Sequence, residues 1–209
     1  MEKTRELKTG TTTVGVIGKD CVVLAADMRA SMDHLAIDEE TKKLYKITDL
    51  VAVSNAGSVG DCGTLVRHLR GHAKLYEIER ETKITTKALS TYLANILNAN
   101  RFYPFFVQFL IGGIDGNTAK LFEIDLSGGL LERNKYAVSG SGTELALSSL
   151  DKDYKQGLSE IDSIKIAVEA VKAAKKRDIY SGGKSISVIV INKQGARELT
   201  EAEVKNYLN

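Results

Sequence analysis

The sequence predicts a layered α+β sandwich formed by a single domain, and three observations lead to this prediction. The chain has 209 residues, of which 43% are hydrophobic and 27% are charged, a size and composition typical of one compact globular domain. Strand-like and helix-like segments arrive in blocks: strands, two helices, strands, two helices and a last strand. Alternating strands and helices would instead indicate a parallel sheet. No linker or low-complexity segment divides the chain.

The first block contains two predicted hairpins and two predicted helices. Apolar and β-branched runs at 11–18 and 21–27 flank the turn-prone residues 18–20, and the runs 43–47 and 50–56 flank residues 48–49. Apolar residues then recur at steps of three and four, which indicates amphipathic helices. The first helix carries Val59, Cys62, Val66, Leu69, Ala73 and Tyr76, and the second carries Ala88, Leu89, Tyr92, Leu93, Ile96 and Leu97.

The second block repeats this plan. Residues 105–114, 119–125 and 130–139 are predicted strands, separated by glycine-containing turns. One helix follows Gly142, and another carries Ile161, Ile164, Val168, Val171 and Ala174. Residues 185–191 form a last buried strand, and residues 201–208 close the chain as a short helix.

Composition excludes several classes of partner. A net charge of +2 is too balanced for a nucleic-acid surface, and no apolar run approaches the ~20 residues that span a membrane. Residues 1–10 are charged and lack the apolar segment of a secretory signal. Cys21 and Cys62 show no pairing pattern, so we expect core residues in a reducing compartment, and the cytoplasm is the expected location.

The sequence also predicts no metal and no cofactor. His68 and His72 are four residues apart on one helix, but no third ligand is evident, so a surface or interface role is expected instead. The segment GSGTEL lacks the third glycine of a dinucleotide-binding fingerprint, and no P-loop is present. Any dependence on ATP would therefore come from a partner.

The run TTTVG after Gly10 raises a question of chemistry. A threonine that becomes N-terminal by cleavage gains its own α-amine, with an unperturbed pKa of about 7.7–8.0, as a nearby base for its hydroxyl. Cleavage between Gly10 and Thr11 would give this arrangement. The alternative is that the threonines simply favour a β-strand.

Seven stretches from Thr11 onward occur in one characteristic order and spacing: TTTVGV, VVLAADMRAS, KKLYKI, AGSVGD, GGID, GSG and KRDIYSGG. With these stretches the chain resembles the β subunits of the 20S proteasome, most closely the archaeal type, which are N-terminal-nucleophile threonine proteases. The resemblance implies a four-layer αββα sandwich and a threonine-type endopeptidase. It also implies that residues 1–10 are a propeptide removed by self-cleavage and that residues 11–209 are the catalytic domain.

The resemblance assigns roles to seven residues. Thr11 matches the nucleophile, Asp27 and Lys43 match a charged pair that tunes its protons, and the Gly57 N–H matches the oxyanion donor. Three further positions match a supporting shell around the threonine: Ser141, Asp178 and Ser181. Taken singly, each has an ordinary explanation, such as a solvated strand end, an edge lysine, a tight turn or a helix cap.

A substrate pocket follows from the same resemblance. Its positions match Ala30, Thr41, Tyr45, Asn55 and Val59. These side chains form a mid-sized, mostly neutral slot that suits apolar substrate side chains, although Asn55 is more polar than this preference predicts. Thr12 and Thr13 are expected only to begin the strand.

The implied assembly is a ring of seven copies, stacked on a second ring and capped by rings of α-type proteasome subunits. ATPase regulators would feed it unfolded polypeptides, and neither nucleic acid nor membrane would be a partner. Two alternatives stay open: a non-catalytic scaffold subunit of the same particle, and a bacterial-type ATP-dependent protease of the same fold.

Overall fold

The structure, a computed structural model, describes residues 10–32 and 34–208. The predicted propeptide, residues 1–10, therefore lies outside the described residues except for Gly10. The strands in this part of the chain are β1 (Thr12–Ile17), β2 (Cys21–Asp27), β3 (Ala30–Met32), β4 (Leu35–Asp38), β5 (Leu44–Lys46), β6 (Val51–Gly57), β7 (Val107–Asp115), β8 (Thr118–Ile124), β9 (Leu130–Arg133), β10 (Tyr136–Gly140), β11 (Ile186–Asn192) and β12 (Gly195–Glu198). The helices are α1 (Val59–Arg80), α2 (Thr86–Ala99), α3 (Thr143–Asp153), α4 (Glu160–Lys175) and α5 (Glu201–Lys205).

The strands form two five-stranded antiparallel sheets and one small hairpin. The strand order is β10-β1-β2-β11-β12 in the first sheet and β5-β6-β7-β8-β9 in the second, and β3 pairs with β4. In the first sheet, Thr12 lies opposite Gly140 of β10, and Thr13 lies opposite Ala26 of β2. The beginning of β1 therefore lies between the ends of β10 and β2.

Three apolar clusters hold four layers together. One lies between the first sheet and helices α3 and α4, with Val168 fully buried. Another lies between the second sheet and helices α1 and α2, around Leu69 and Phe109. The third joins the two sheets and includes Leu24 and Leu121. Because helices cover the outer face of each sheet, the predicted αββα sandwich is confirmed.

The junction between β6 and α1 requires a glycine. Gly57 ends the strand with a φ of 123°, and Ser58 caps α1 by accepting a hydrogen bond from the Asp61 N–H. A Cβ atom at Gly57 would lie 2.0 Å from the carbonyl oxygen of Phe106. No other residue fits this position without moving the neighbouring strand.

Four segments differ from the sequence predictions. Residues 130–139 form two strands in different sheets, because the exposed β9 edges the second sheet while the buried β10 crosses to the first. The hairpin of β3 and β4 and the strand β12 were not predicted, because these short strands lack an extended apolar run. The predicted last helix is shorter, since α5 ends at Lys205.

Helix α1 runs without a break through Gly71. One of its two histidines, His72, stacks on Tyr92 of α2, with 3.6 Å between the ring centroids. Within residues 10–32 and 34–208, no helix has both the length and the apolar composition to cross a membrane.

Candidate active site

Thr11 lies immediately before β1 and is only 5% exposed. Its Oγ1 donates a hydrogen bond of 2.6 Å to the carbonyl oxygen of Gly10. Its backbone N–H donates to Ser141 Oγ over 3.1 Å. The hydroxyl therefore lies beside the carbonyl group that the predicted cleavage would attack.

A buried ion pair lies next to the start of β1. Asp27, at the end of β2, is fully buried, and its Oδ1 accepts hydrogen bonds from Lys43 Nζ at 2.7 Å and from the Thr12 N–H at 2.9 Å. Its Oδ2 accepts from the N–H groups of Gly182 at 2.8 Å and Arg29 at 3.2 Å. Four donors thus compensate the removal of this carboxylate from water.

Lys43 is almost as buried as its partner, at 4% exposed. Burial lowers the pKa of Lys43 below its ordinary value of 10.5, while the charge and hydrogen bond of Asp27 oppose the change and Asp178 opposes it more weakly. Lys43 and Asp27 nevertheless form an ion pair with 2.7 Å between Nζ and Oδ1. A cation that lines the same cavity as Thr11 favours the loss of protons from neighbouring groups.

A second carboxylate organises the other side of Thr11. Asp178 Oδ2 accepts hydrogen bonds from the hydroxyls of Ser141 and Ser181, both at 2.5 Å. Because an ionised carboxylate only accepts, both serines donate to it and keep their lone pairs for other donors. Ser141 uses one of these lone pairs to accept the Thr11 N–H. The nitrogen of Thr11 is therefore linked to Asp178 through one hydroxyl.

Sequence reasoning missed Thr12. Its side chain is fully buried, and its Oγ1 lies 2.7 Å from Ser181 Oγ. Since Ser181 already donates to Asp178, Thr12 is the donor in this pair. The same residue gives its N–H to Asp27, so Thr12 connects the two carboxylates. The signal available in the sequence was the hydroxyl itself, because a buried hydroxyl requires a partner.

Thr13 is also more than a strand former. It is fully buried, and its Oγ1 lies 2.7 Å from Ser139 Oγ on β10. Thr12 and Thr13 begin β1, as expected, and their hydroxyls in addition lie within hydrogen-bond distance of Ser181 and Ser139. The hydroxyls tie the beginning of β1 to its surroundings.

The five predicted pocket positions line one cavity of about 60 Å³. Thr11, Lys43 and Gly57 belong to the same wall, so the cavity opens directly onto the nucleophile candidate. Sequence reasoning did not identify four further lining residues: Gly10, Arg29, Ser31 and Lys42.

Asn55 is the unusual residue of this cavity. It is buried, at 7% exposed, and its Oδ1 has no hydrogen-bond partner within the described part of the chain. Burial raises the pKa of the neighbouring Cys62 thiol to about 11, and a hydrogen bond from Asn55 partly opposes this rise. Asn55 therefore adds a polar group to a lining that also contains three basic residues, Arg29, Lys42 and Lys43.

The αββα sandwich, with a buried threonine at the beginning of a central strand, has the architecture of the N-terminal-nucleophile hydrolases. The family model described as "Proteasome subunit" matches residues 7–191. The chain is 45% identical over 201 residues to "Proteasome subunit beta" of Methanocaldococcus fervens, covering 96% of this chain and 89% of that protein. It is 42% identical over 205 residues to "Proteasome subunit beta 1" of Thermococcus kodakarensis, covering 98% and 99%. It is 45% identical over 199 residues to "Proteasome subunit beta 2" of Pyrococcus abyssi, covering 95% of each. The chain therefore belongs to the proteasome subunit family, and the predicted resemblance is confirmed.

Proposed function

We propose that this chain is a catalytic β subunit of the 20S proteasome core particle, a threonine endopeptidase that matures by cutting its own Gly10–Thr11 bond. One observation carries the proposal: the Thr11 hydroxyl contacts the Gly10 carbonyl within a site that also holds the buried Asp27–Lys43 pair. The family membership and the β-type names of the relatives support it.

In the first reaction, Thr11 Oγ1 attacks the carbonyl carbon of Gly10. The Thr11 nitrogen is an amide at this stage and is no base, so the hydroxyl proton passes through a water molecule to the departing nitrogen, while the positive charge of Lys43 favours its loss from the hydroxyl. The C–N bond breaks, the nitrogen takes up a proton, and an ester joins Gly10 to the Thr11 oxygen. Water hydrolyses this ester, which releases the leader and leaves Thr11 with a free amine.

Substrate cleavage repeats the same chemistry with a foreign peptide. Thr11 Oγ1 attacks the scissile carbonyl, and its own amine accepts the proton, directly or through a water. Lys43 and Asp27 tune this transfer. The Gly57 N–H stabilises the tetrahedral oxyanion, a contribution typically worth about 3 kcal/mol. The peptide amine leaves with a proton, and water hydrolyses the ester. The Ser141–Asp178 link orients the amine of Thr11 throughout.

The proposed assembly is a homo-heptameric β ring, stacked on a second ring and capped by α-type heptamers that receive unfolded polypeptide from an ATPase regulator. Apolar side chains on the described surface support burial against other subunits, since isolated domains rarely expose many. Met32, Leu35 and Ile37 of the β3–β4 hairpin are 45%, 64% and 57% exposed. Both cysteines are free and buried, in keeping with a reducing cytoplasm.

Intact mass spectrometry tests the proposal directly. The full chain is co-expressed with an α-type subunit, beside a Thr11→Ala variant, and the assembled particles are purified. We expect the unaltered chain to lose residues 1–10 and the variant to keep them. A full-length mass for both chains within an assembled particle would contradict self-cleavage and favour the scaffold alternative.

A further inference from the structure

The segment that joins α4 to β11, residues 176–185, carries several groups of the site and contains neither helix nor strand. Ser181 donates to Asp178 within this α4–β11 segment, and the Gly182 N–H donates to Asp27 Oδ2 over 2.8 Å. Since regular secondary structure does not fix the segment, other contacts must hold these groups in place.

Lys175, the last residue of α4, binds the far end of the segment. Its Nζ donates hydrogen bonds to the backbone carbonyl oxygens of Gly183 at 2.9 Å and of Ser185 at 3.0 Å. Hydrogen bonds from an ammonium group are stronger than those between neutral groups. One side chain of α4 therefore ties down two peptide groups immediately before β11 begins.

The backbone beside these carbonyls lies directly on the residue that follows Asp27. The Gly182 carbonyl oxygen accepts a hydrogen bond from the Met28 N–H at 3.0 Å. Gly183 has a φ of 93°, and a Cβ atom there would lie 2.7 Å from the carbonyl carbon of Met28. Because Gly182 and Gly183 are adjacent, a displacement of the Gly183 carbonyl would carry the Gly182 N–H away from Asp27.

Lys175 also places a positive charge near the buried carboxylate. Burial lowers the pKa of Lys175 below its ordinary value of 10.5, and the charge of Asp27 opposes this change. Lys43 binds Asp27 directly, whereas Lys175 is linked to it through the backbone of two glycines. The two lysines therefore support the same carboxylate in different ways.

We propose that Lys175 is a positioning residue for the reaction at Thr11. By holding two backbone carbonyls of the α4–β11 segment, it keeps the Gly182 N–H on Asp27. This inference rests on the proposed peptidase function, and Lys175 acts through the segment rather than on the reacting atoms.

The test uses assembled particles of the full chain and a peptide with an aminocoumarin leaving group. Each rate is divided by the fraction of chains that intact mass spectrometry shows to have lost residues 1–10. We expect Lys175→Met to lower kcat by about ten- to a hundredfold, since a misplacement of 1 Å in a site can cost about a hundredfold. KM should change little, because Lys175 does not line the cavity of about 60 Å³ beside Thr11.

Two further variants separate positioning from general stabilisation. Lys175→Arg keeps the charge and several N–H donors, so it should restore most of the turnover. Lys172→Met is the matched control and should leave kcat unchanged. Lys172 lies on the same helix and also donates to a backbone carbonyl, that of Leu208 at 2.8 Å, but this carbonyl lies outside the α4–β11 segment. If Lys175→Met does not assemble, Lys175→Gln replaces it, with a smaller expected loss of kcat because its amide still offers donors.

Hydrogen–deuterium exchange locates the effect without using activity. In Lys175→Met, the backbone amides of the α4–β11 segment should exchange faster, while those of β1 and α4 should exchange as in the unaltered particle. A lysine that only stabilised the whole fold would instead speed exchange in all of these elements.

The outcomes distinguish this inference from the proposed function. Coumarin release with an unchanged kcat in Lys175→Met would overturn the inference and leave the peptidase proposal intact. A loss of kcat that Lys172→Met shares, or that Lys175→Arg does not relieve, would overturn it as well. If the unaltered particle released no coumarin, the peptidase proposal would fail and the inference would fail with it.

Discussion

The two partners of the buried ion pair should differ sharply in how much stability each contributes. Replacing Asp27 by Asn leaves Lys43 charged, buried and without the single hydrogen bond that its Nζ donates within the described residues. The new amide is also badly placed. Oδ1 and Oδ2 each face two donors, so an NH2 group points at two donors in either orientation. Asp27→Asn should therefore cost about 3–5 kcal/mol of unfolding free energy.

Replacing Lys43 by Met should cost less. Asp27 then keeps the three backbone N–H groups that already bind it, and the methionine fills the space of the lysine stem. The loss is one hydrogen bond between charged groups, about 1.5–3 kcal/mol. The double variant should lose about as much unfolding free energy as Lys43→Met, plus the cost of the misplaced amide, because no buried cation then remains.

Denaturant unfolding of the purified chain measures these costs. All variants carry Thr11→Ala as well, so that differences in leader removal do not enter the comparison. Equal costs for Asp27→Asn and Lys43→Met, or a larger cost for Lys43→Met, would refute the reasoning. The backbone N–H groups around Asp27 would then not stabilise its carboxylate once Lys43 is removed.

The pH dependence of the same measurement gives an independent check. Asp27 raises the pKa of Lys43 against the lowering effect of burial, so Asp27→Asn lowers the pKa of Lys43 further. Between this folded-state pKa and the ordinary value of 10.5, the unfolded chain binds more protons and stability rises with pH. The stability deficit of Asp27→Asn should therefore shrink as pH rises from neutral toward the higher pKa of Lys43 in the unaltered pair. A deficit that stays constant or grows would contradict this sign.

Three further predictions concern Thr12, Gly142 and Cys62. Thr12→Val keeps the shape of the side chain but removes the donor to Ser181, so leader removal should slow several-fold in a mass-spectrometric time course. Thr12→Ser should restore the rate. Equal rates for the unaltered chain and both variants would show that the hydroxyl has no positioning role. Gly142→Ala places a Cβ 2.0 Å from Thr12 Oγ1, so it should lower the melting temperature and slow leader removal. Gly60→Ala is the control and should do neither, because a Cβ at Gly60 meets nothing within 4 Å. Burial raises the pKa of Cys62 to about 11, so iodoacetamide at pH 8 should modify this thiol only after unfolding, and rapid modification of the native chain would contradict its described burial.

Periodicity and motif order predicted much of the fold, and the reason is physical. Buried strands such as β2 and long amphipathic helices such as α1 carry their burial pattern in a local window. The break between β9 and β10 has no such local signal. Both halves favour extended backbone, and only the packing of two separate sheets decides that the chain crosses between them after Arg133.

The site divides in the same way. The resemblance brought Thr11, Asp27 and Lys43 into one hypothesis. The structure places Thr11 and Lys43 in the lining of one cavity, and Asp27 binds Lys43 behind it. The link from Thr12 to Ser181 joins residues 169 positions apart, so no local pattern predicts it. A cavity of about 270 Å³ lined by Phe106, Leu126 and Ser141 is harder still to predict, because the loop residue Phe106 and the turn residue Leu126 become neighbours only when the strands between them pair.

The position of Thr12 explains how one strand can hold a nucleophile between two carboxylates. Its N–H binds Asp27, and its hydroxyl reaches Asp178 through Ser181, so the residue after the nucleophile is fixed from two directions. The peptide bond between Thr11 and Thr12 is held in place in the same way, because its N–H group donates to Asp27. The backbone N–H of Thr11 is held separately by Ser141. The proposed cleavage at Gly10 would remove the leader but none of the partners of these hydrogen bonds, so the proposed function needs no rearrangement of these partners between leader removal and substrate cleavage.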